Sequence, residues 1–178
     1  MYTQEIKIPK ERVGVLIGVD GKIKKKIEKK ANVKLDINSE QGDVTITSED
    51  NLMAYEVKII IQAIGRGFTP QEAFQLFNEQ NVFELVDITS YTGKSKKKME
   101  RLKGRVIGES GKSRKTIEDL SETSIVIFGK TIGIIGEAER ASLARRAIEM
   151  LLDGAPHAPV YKMLEIKKKE LYRRQFES

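Results

Sequence analysis

Val15-Leu16-Ile17-Gly18-Val19-Asp20-Gly21-Lys22 recurs ninety residues later as Arg105-Val106-Ile107-Gly108-Glu109-Ser110-Gly111-Lys112. The match continues with Ile27-Glu28 against Ile117-Glu118. Self-similarity of this kind means two copies of one structural unit, and it governs how the flanking sequence is read. Working outward from each Gly-x-x-Gly, both copies read as strand, short helix, turn, second helix, two strands and a long helix. The chain has 178 residues. That accommodates two such units of roughly 80–90 residues, each with a small core.

In the first copy, Glu5-Ile6-Lys7-Ile8 alternates and stops at Pro9, as a short strand does. Helices are expected over Lys10 to Ile17 and Gly21 to Lys30, the second with Ile23 and Ile27 on one face. Val33, Leu35 and Ile37 alternate with Lys34 and Asp36, and Val44 and Ile46 follow a Gln41-Gly42-Asp43 turn. Asp50 can cap a helix running to about Ile64, with Leu52, Met53, Tyr55, Ile59, Ile60 and Ala63 as its apolar face. The second copy repeats the order. It has a strand over Val82 to Ile88, helices over Lys96 to Ile107 and Lys112 to Leu120, and strands over Ser124 to Phe128 and Thr131 to Ile135. A long helix over Glu137 to Leu152 closes it. Between the copies, Thr69-Pro70-Gln71-Glu72 has the pattern of a capped helix start, and the short helix runs to about Phe77. Phe74, Phe77 and Phe83 sit on apolar faces and are expected in an interdomain core, so the linker reads as packed and the pair as one rigid body. Ala158 to Gln175 reads as an additional helix with Leu164, Leu171 and Tyr161 on its apolar side. The expected division is 1–66, a linker at 67–80, 81–155, and an extension at 156–178.

Composition excludes much chemistry. Cysteine is absent, which removes disulfides, thiolate nucleophiles and cysteine metal sites. A single histidine, His157, removes histidine clusters and reads as a surface turn residue. No apolar run approaches the roughly 18 residues that span a bilayer, and the first residues lack the basic start and apolar stretch of a signal peptide. A cytoplasmic protein without membrane contact, metal, cofactor or small-molecule substrate is expected. Hydrophobic residues make up 39% and charged residues 33%, with a net charge of +6. Residues 1–80 carry 12 basic and 12 acidic side chains, and residues 81–178 carry 20 and 14, so the excess lies in the second copy. Ten basic and two acidic residues fall between Lys94 and Lys115. Such density suits a polyanion, nucleic acid foremost.

The repeated turn explains how a polyanion is held. Glycines permit a tight reversal and let phosphates approach the backbone. The second helix begins there with its positive dipole end, and Lys22 or Lys112 adds a point charge. A Gly-x-x-Gly loop between two helices is how KH domains clamp single-stranded nucleic acid. Both copies resemble type I KH domains (β-α-α-β-β-α). Gly14-Val15-Leu16-Ile17-Gly18-Val19-Asp20-Gly21-Lys22-Ile23 with Ile27 carries the resemblance in the first. In the second, Leu102-Lys103-Gly104-Arg105-Val106-Ile107-Gly108-Glu109-Ser110-Gly111-Lys112 with Ile117 carries it. The resemblance implies an α+β fold, with helices packed on one face of each three-stranded antiparallel sheet. A narrower resemblance rests on Gly67 to Ala73, Arg105 to Leu120 and His157 to Lys162: these look like the archaeal form of the partner-of-Nob family of ribosome-assembly proteins. It implies binding to small-subunit pre-rRNA near the 3′ end, beside an rRNA-processing endonuclease and other assembly or translation factors, with no catalytic residues.

Both loops depart from a strongly basic pattern, with Val19-Asp20 and Glu109-Ser110 between the glycines. Lys103, Arg105, Lys112, Arg114 and Lys115 surround the second loop, and Ser113 offers a hydroxyl. The second copy is therefore the expected principal clamp, with Gly104, Ile107, Gly108, Glu109, Ser110 and Gly111 completing it. Arg105, Gly108, Gly111, Lys112 and Arg114 are expected to hold phosphates, while Ile107, Ile117 and the strand near Ile125 line or support the base groove. Gly14, Ile17, Gly18, Val19, Asp20, Gly21, Lys22 and Lys25 form a weaker or structural site in the first. Gly108-Glu109-Ser110-Gly111-Lys112-Ser113 is no P-loop, because Val106 stands where that loop needs glycine and a helix precedes it. Asp36, Asp43, Glu49 and Asp50 read as turn and cap residues. Lys167-Lys168-Lys169 with Arg173-Arg174 reads equally as a solvated face or a second RNA or protein contact. Two other functions fit a KH pair: a general RNA chaperone or regulator, and a protein-interaction scaffold with degenerate loops.

Overall fold

The structure, a computed structural model, describes residues 1–177. It has two compact units, Met1–Glu79 and a second from Gln80 onward. The first contains β1 (Tyr2–Lys7), α1 (Lys10–Ile17), α2 (Lys22–Ala31), β2 (Lys34–Asn38), β3 (Asp43–Ser48) and α3 (Asn51–Gly65), then α4 (Pro70–Ala73). The second contains β4 (Asn81–Asp87), α5 (Thr89–Thr92), α6 (Lys96–Ile107), α7 (Lys112–Ser121), β5 (Ser124–Phe128), β6 (Thr131–Glu137), α8 (Ala138–Leu152) and α9 (His157–Glu177). Each sheet is antiparallel, with its last strand in the centre: β1-β3-β2 and β4-β6-β5.

The repeated Ile-Glu pair has one job per residue. Ile27 and Ile117 are fully buried plugs beneath their sheets; each removes enough apolar surface from water for roughly 1.5–3 kcal/mol. One residue on, a carboxylate reaches the edge strand. Glu28 Oε1 accepts the Leu35 amide at 2.9 Å, and Glu118 Oε1 accepts the Ile125 amide at 2.8 Å. The helices end at Asn32 and Glu122, both left-handed (φ 52° and 55°). Thus the second helix is locked to the strand that lines its groove.

The long helix α3 starts where Asp50 accepts the amides of Leu52 (2.9 Å) and Met53 (3.4 Å). Its buried face differs from the expected one. Ala54, Val57, Ile60, Ile61, Ala63 and Ile64 are buried, whereas Leu52 and Tyr55 are 66% and 53% exposed. The true stripe steps by three and four from Ala54; the larger side chains at 52 and 55 lie off it. β1 also starts earlier than expected, at Tyr2, and Ile8 is buried beyond its end. α5 was not foreseen. Asp87 makes it by accepting the amide and the hydroxyl of Thr89 at 2.9 and 2.6 Å. The hydroxyl's bond, foremost, holds the Asp87 carboxyl below its usual range.

The segment after α3 folds onto the first unit. Thr69 and Glu72 form a reciprocal cap: Thr69 Oγ1 accepts the Glu72 amide, and Glu72 Oε2 accepts the Thr69 amide at 2.9 Å. Phe68 and Ala73 are fully buried. Phe74 and Phe77 tilt against each other with ring centres 5.8 Å apart. Lys26 and Lys30 of α2 lie over these rings at 5.1 and 4.7 Å, within cation–π range. In the second unit α9 rests on α7 and α8, burying Val160, Leu164 and Leu171. Of its expected apolar side, Tyr161 is only half-buried.

Each unit also pins the end of its long helix with one guanidinium. Arg12 Nε and Nη2 donate to the carbonyls of Ile64 (2.8 Å) and Phe68 (2.7 Å). Arg105 Nε donates to Leu151 at 3.1 Å, and its Nη2 to Ala155. Each guanidinium thus bridges two carbonyls at the exit of its long helix; Ile64 and Leu151 also accept an amide of the following turn, from Gly67 and Gly154, at 3.1 Å.

Candidate nucleic-acid interface

The two loops have the same backbone. Gly18 and Gly108 stand at φ/ψ 74°/173° and 75°/173°; Asp20 and Ser110 both stand at 54°/28°; Gly21 and Gly111 stand at 71°/16° and 75°/11°. The glycines within a loop have different reasons to be there. A Cβ on Gly108 would lie 2.7 Å from both Cβ and the amide nitrogen of Ser113, and one on Gly18 would lie 2.5 Å from Ile23 Cγ1. The first glycine therefore permits close approach of the loop to the second helix. A Cβ on Gly111 would meet nothing within 4 Å, so the second glycine serves the left-handed turn and leaves open space above it. Gly14 and Gly104, each four residues before its loop, are exposed with equally open surroundings and accept the amide of the first loop glycine at 2.9 and 2.8 Å.

Beside each loop runs an aliphatic seam between the second helix and the edge strand. In the first unit Ile17, Gly21, Lys24, Lys25, Glu28 and Ile37 line a groove of about 290 Å³. The second unit has Ile107 and Ile127, both half-buried, at the equivalent places. Ile117 and Ile125 are buried in the core and support this seam from below. Ile37 was not foreseen as a groove residue, and Ile127 only as part of the strand near Ile125; each ends the inward row of its strand, after buried Leu35 and Ile125.

The cations divide into free and committed. Lys112 and Lys115 are exposed and Lys103 half-buried; none of the three ammonium groups forms an ion pair or hydrogen bond among the described residues. Arg114 Nη1 is shared between Glu118 Oε1 (3.0 Å) and the Ile125 carbonyl (3.3 Å), which lays its guanidinium along the seam. Two expectations are corrected. Arg105 was expected to hold a phosphate, but two of its three nitrogens are taken by the carbonyls of Leu151 and Ala155. Ser113 was expected to offer its hydroxyl, but it is 2% exposed and packs under Gly108. At the first loop Lys22 and Lys25 are exposed, and Lys25 Nζ reaches back to the Asp20 carbonyl at 3.5 Å. Val19 is 77% exposed at the tip where the second loop has exposed Glu109. His157, expected in a surface turn, is half-buried, and its Nε2 bonds the Arg105 carbonyl at 2.7 Å. Among the described residues no cluster of acidic, histidine or cysteine side chains could hold a metal ion, and no helix is long and apolar enough to cross a membrane.

Two β-α-α-β-β-α units with glycine loops of identical geometry define a tandem pair of type I KH domains. Residues 3–63 match the family described as the KH domain, and residues 82–169 match the eukaryotic type KH-domain, type I, of PNO1. A KH domain-containing protein of Methanocaldococcus jannaschii is 46% identical over 176 residues, covering 97% of this chain and 77% of that one. The pre-rRNA-processing protein PNO1 of Chaetomium thermophilum is 26% identical over 174 residues, covering 92% of this chain and 65% of its own. The crystal structure of an a/eIF2alpha-aDim2p-rRNA complex from Pyrococcus horikoshii superposes with a TM-score of 0.88 at 42% identity, covering 95% of each chain. The chain belongs to the PNO1/Dim2 family of KH-domain proteins.

Proposed function

We propose that this protein binds single-stranded pre-rRNA of the small ribosomal subunit near its 3′ end, as a non-enzymatic assembly factor, with the second KH loop as the principal clamp. The observation that carries the reading is the asymmetry between two loops of one geometry. The second has three unpaired lysines, at 103, 112 and 115, around an open glycine. The first belongs to a unit whose charges balance, and one of its lysines folds back on the loop. The solved relative whose complex contains rRNA and a/eIF2alpha supports an RNA ligand and leaves room for a translation-factor contact beside the endonuclease partnership implied by the family. In this arrangement phosphates lie over Gly111 against Lys112 and Lys115, with Lys103 flanking. Arg114 and the Ile107–Ile127 seam meet the bases. The first loop binds weakly or docks protein.

The test is fluorescence anisotropy with a labelled single-stranded RNA from the small-subunit rRNA 3′ end, at two salt concentrations. Gly111→Asp is the informative change, because it places a carboxylate in open space and spares the core; Gly21→Asp is its counterpart. Gly111→Asp is expected to abolish binding whose affinity falls with salt by about 0.7 log units per log unit of salt for each phosphate held. Gly21→Asp should retain it. Loss with Gly21→Asp alone would reverse the assignment. Unchanged binding in both would favour a protein scaffold. Equal affinity for scrambled RNA would favour a general chaperone.

A further inference from the structure

The two helices that flank the second loop are both held by α9 and its junction with α8. On the α6 side, Arg105 stands three residues before Gly108, in the last turn. Its side chain is tied to Leu151 and Ala155, which flank the end of α8. Its own carbonyl, in a turn that lacks helical amides ahead, is taken by His157 Nε2 at 2.7 Å. The His157 ring is in turn set against Tyr161, one turn along α9, with centres 5.9 Å apart and planes at 59°. On the far side of the loop, α7 is held by the body of the same helix. Val160 and Leu164 join Ile117 in the core, Lys168 Nζ reaches the Asp119 carbonyl at 3.3 Å, and the Tyr172 hydroxyl donates to Glu122 at 2.7 Å.

The first unit lacks this device. Its guanidinium, Arg12, lies in the first turn of α1, six residues from Gly18, and no histidine is available to cap the helix that enters the loop. The unit with the free lysines is thus also the unit with the anchored loop. A loop held in its binding conformation gives up less freedom when it grips a ligand.

We propose that His157 is a positioning residue for RNA binding: by donating Nε2–H to the Arg105 carbonyl it fixes the end of α6, and with it Gly108–Gly111, in the conformation that accepts a phosphate backbone. This rests on the second loop being the clamp. A carbonyl requires a donor, so the ring carries hydrogen on Nε2.

The experiment compares His157→Ala, His157→Gln and His157→Phe with Gly111→Asp as the clamp control. It uses the full chain, RNA anisotropy, and amide exchange of Gly108 and Gly111 by NMR. If loosening leaves the loop competent about a tenth of the time, His157→Ala binds RNA about tenfold more weakly, and both amides exchange faster. His157→Gln offers an amide donor at nearly the same reach and should restore affinity and protection. If His157→Ala melts α9, His157→Phe keeps a ring against Tyr161, removes only the donor, and should weaken binding alike. Wild-type binding by His157→Ala or His157→Phe, with Gly111→Asp inactive, overturns the positioning role and leaves the clamp standing. Equal weakness of the Ala and Gln variants also overturns it, since packing would then be the cause. Wild-type binding by Gly111→Asp removes the clamp itself.

Discussion

A single methyl group added to each glycine of the second loop should have unequal consequences. Gly108 and Gly111 share a φ of 75°, so a ranking by φ alone treats them alike. At Gly108 ψ is 173°, in a region essentially reserved for glycine, where another residue costs about 1–3 kcal/mol. The new Cβ would also press on Cβ and the backbone nitrogen of Ser113 at 2.7 Å. Because Ser113 belongs to the first turn of α7, that nitrogen cannot swing aside, and overpacking adds about 1–3 kcal/mol. At Gly111 ψ is 11°, a left-handed helical conformation that costs alanine about 1–2 kcal/mol, and the added carbon meets nothing within 4 Å. Gly108→Ala should therefore be the more damaging by roughly 3 kcal/mol, or about 6–12 °C in Tm for a chain of this size. Thermal and urea unfolding followed by far-ultraviolet circular dichroism would read both variants. Equal losses would refute the steric argument and leave backbone conformation as the sole reason for the pair.

Other consequences are smaller or confined to one condition. Asp50→Ala removes the acceptor for two amides at the start of α3 and should cost about 1 kcal/mol, seen as a shifted urea midpoint with unchanged slope. Glu118→Ala strips the Ile125 amide of its partner and leaves Arg114 only the Ile125 carbonyl. A loss of about 1–3 kcal/mol is expected, with faster exchange of the Ile125 amide. The Glu122 carboxylate accepts the Tyr172 hydroxyl and holds that phenol above its ordinary pKa. The stability it adds is complete below the ordinary tyrosine pKa of about 10 and is lost as pH rises through the higher folded value. Melting curves across the alkaline range should fall more steeply for the wild type than for Tyr172→Phe; parallel curves would count against the latch.

The sequence exposed most of the architecture because the repeat supplied an internal check. Both glycine loops, the Ile-Glu pairs, the Asp50 cap and the Thr69–Glu72 cap are local patterns, and each was found where expected. What escaped was decided by tertiary partners. Leu52 and Tyr55 looked like core because they are large and apolar, but their angular positions fall outside the stripe begun by Ala54. Arg105 looked like a phosphate ligand from its place beside the loop. Its fate depends on carbonyls forty-six and fifty residues away, which only the folded chain brings near. Ser113 was legible as a hydroxyl but not as a buried one. Its burial follows from Gly108, whose missing side chain lets α7 close on the loop. His157 read as a surface turn residue, and its bond to the Arg105 carbonyl, fifty-two residues away, has no local pattern.

The matching loop geometries also allow the residues between the glycines to be tested apart from the backbone. Corresponding φ/ψ values agree within about 5° at Gly18/Gly108, Asp20/Ser110 and Gly21/Gly111. The double change Glu109→Val/Ser110→Asp installs the first unit's pair in the second loop without altering total charge. Ser110 has φ 54°, a conformation aspartate adopts more readily than most residues. Both side chains are exposed, so stability should move by no more than about 0.5 kcal/mol. If the clamp draws its strength from Lys103, Lys112 and Lys115 with open space over Gly111, RNA affinity should stay within about threefold and the salt slope should not change. Loss of binding as complete as in Gly111→Asp would instead place RNA selection in the two residues at the loop tip. The free lysines would then be a general attractive field, and the difference between the units would reside in Val19-Asp20 against Glu109-Ser110.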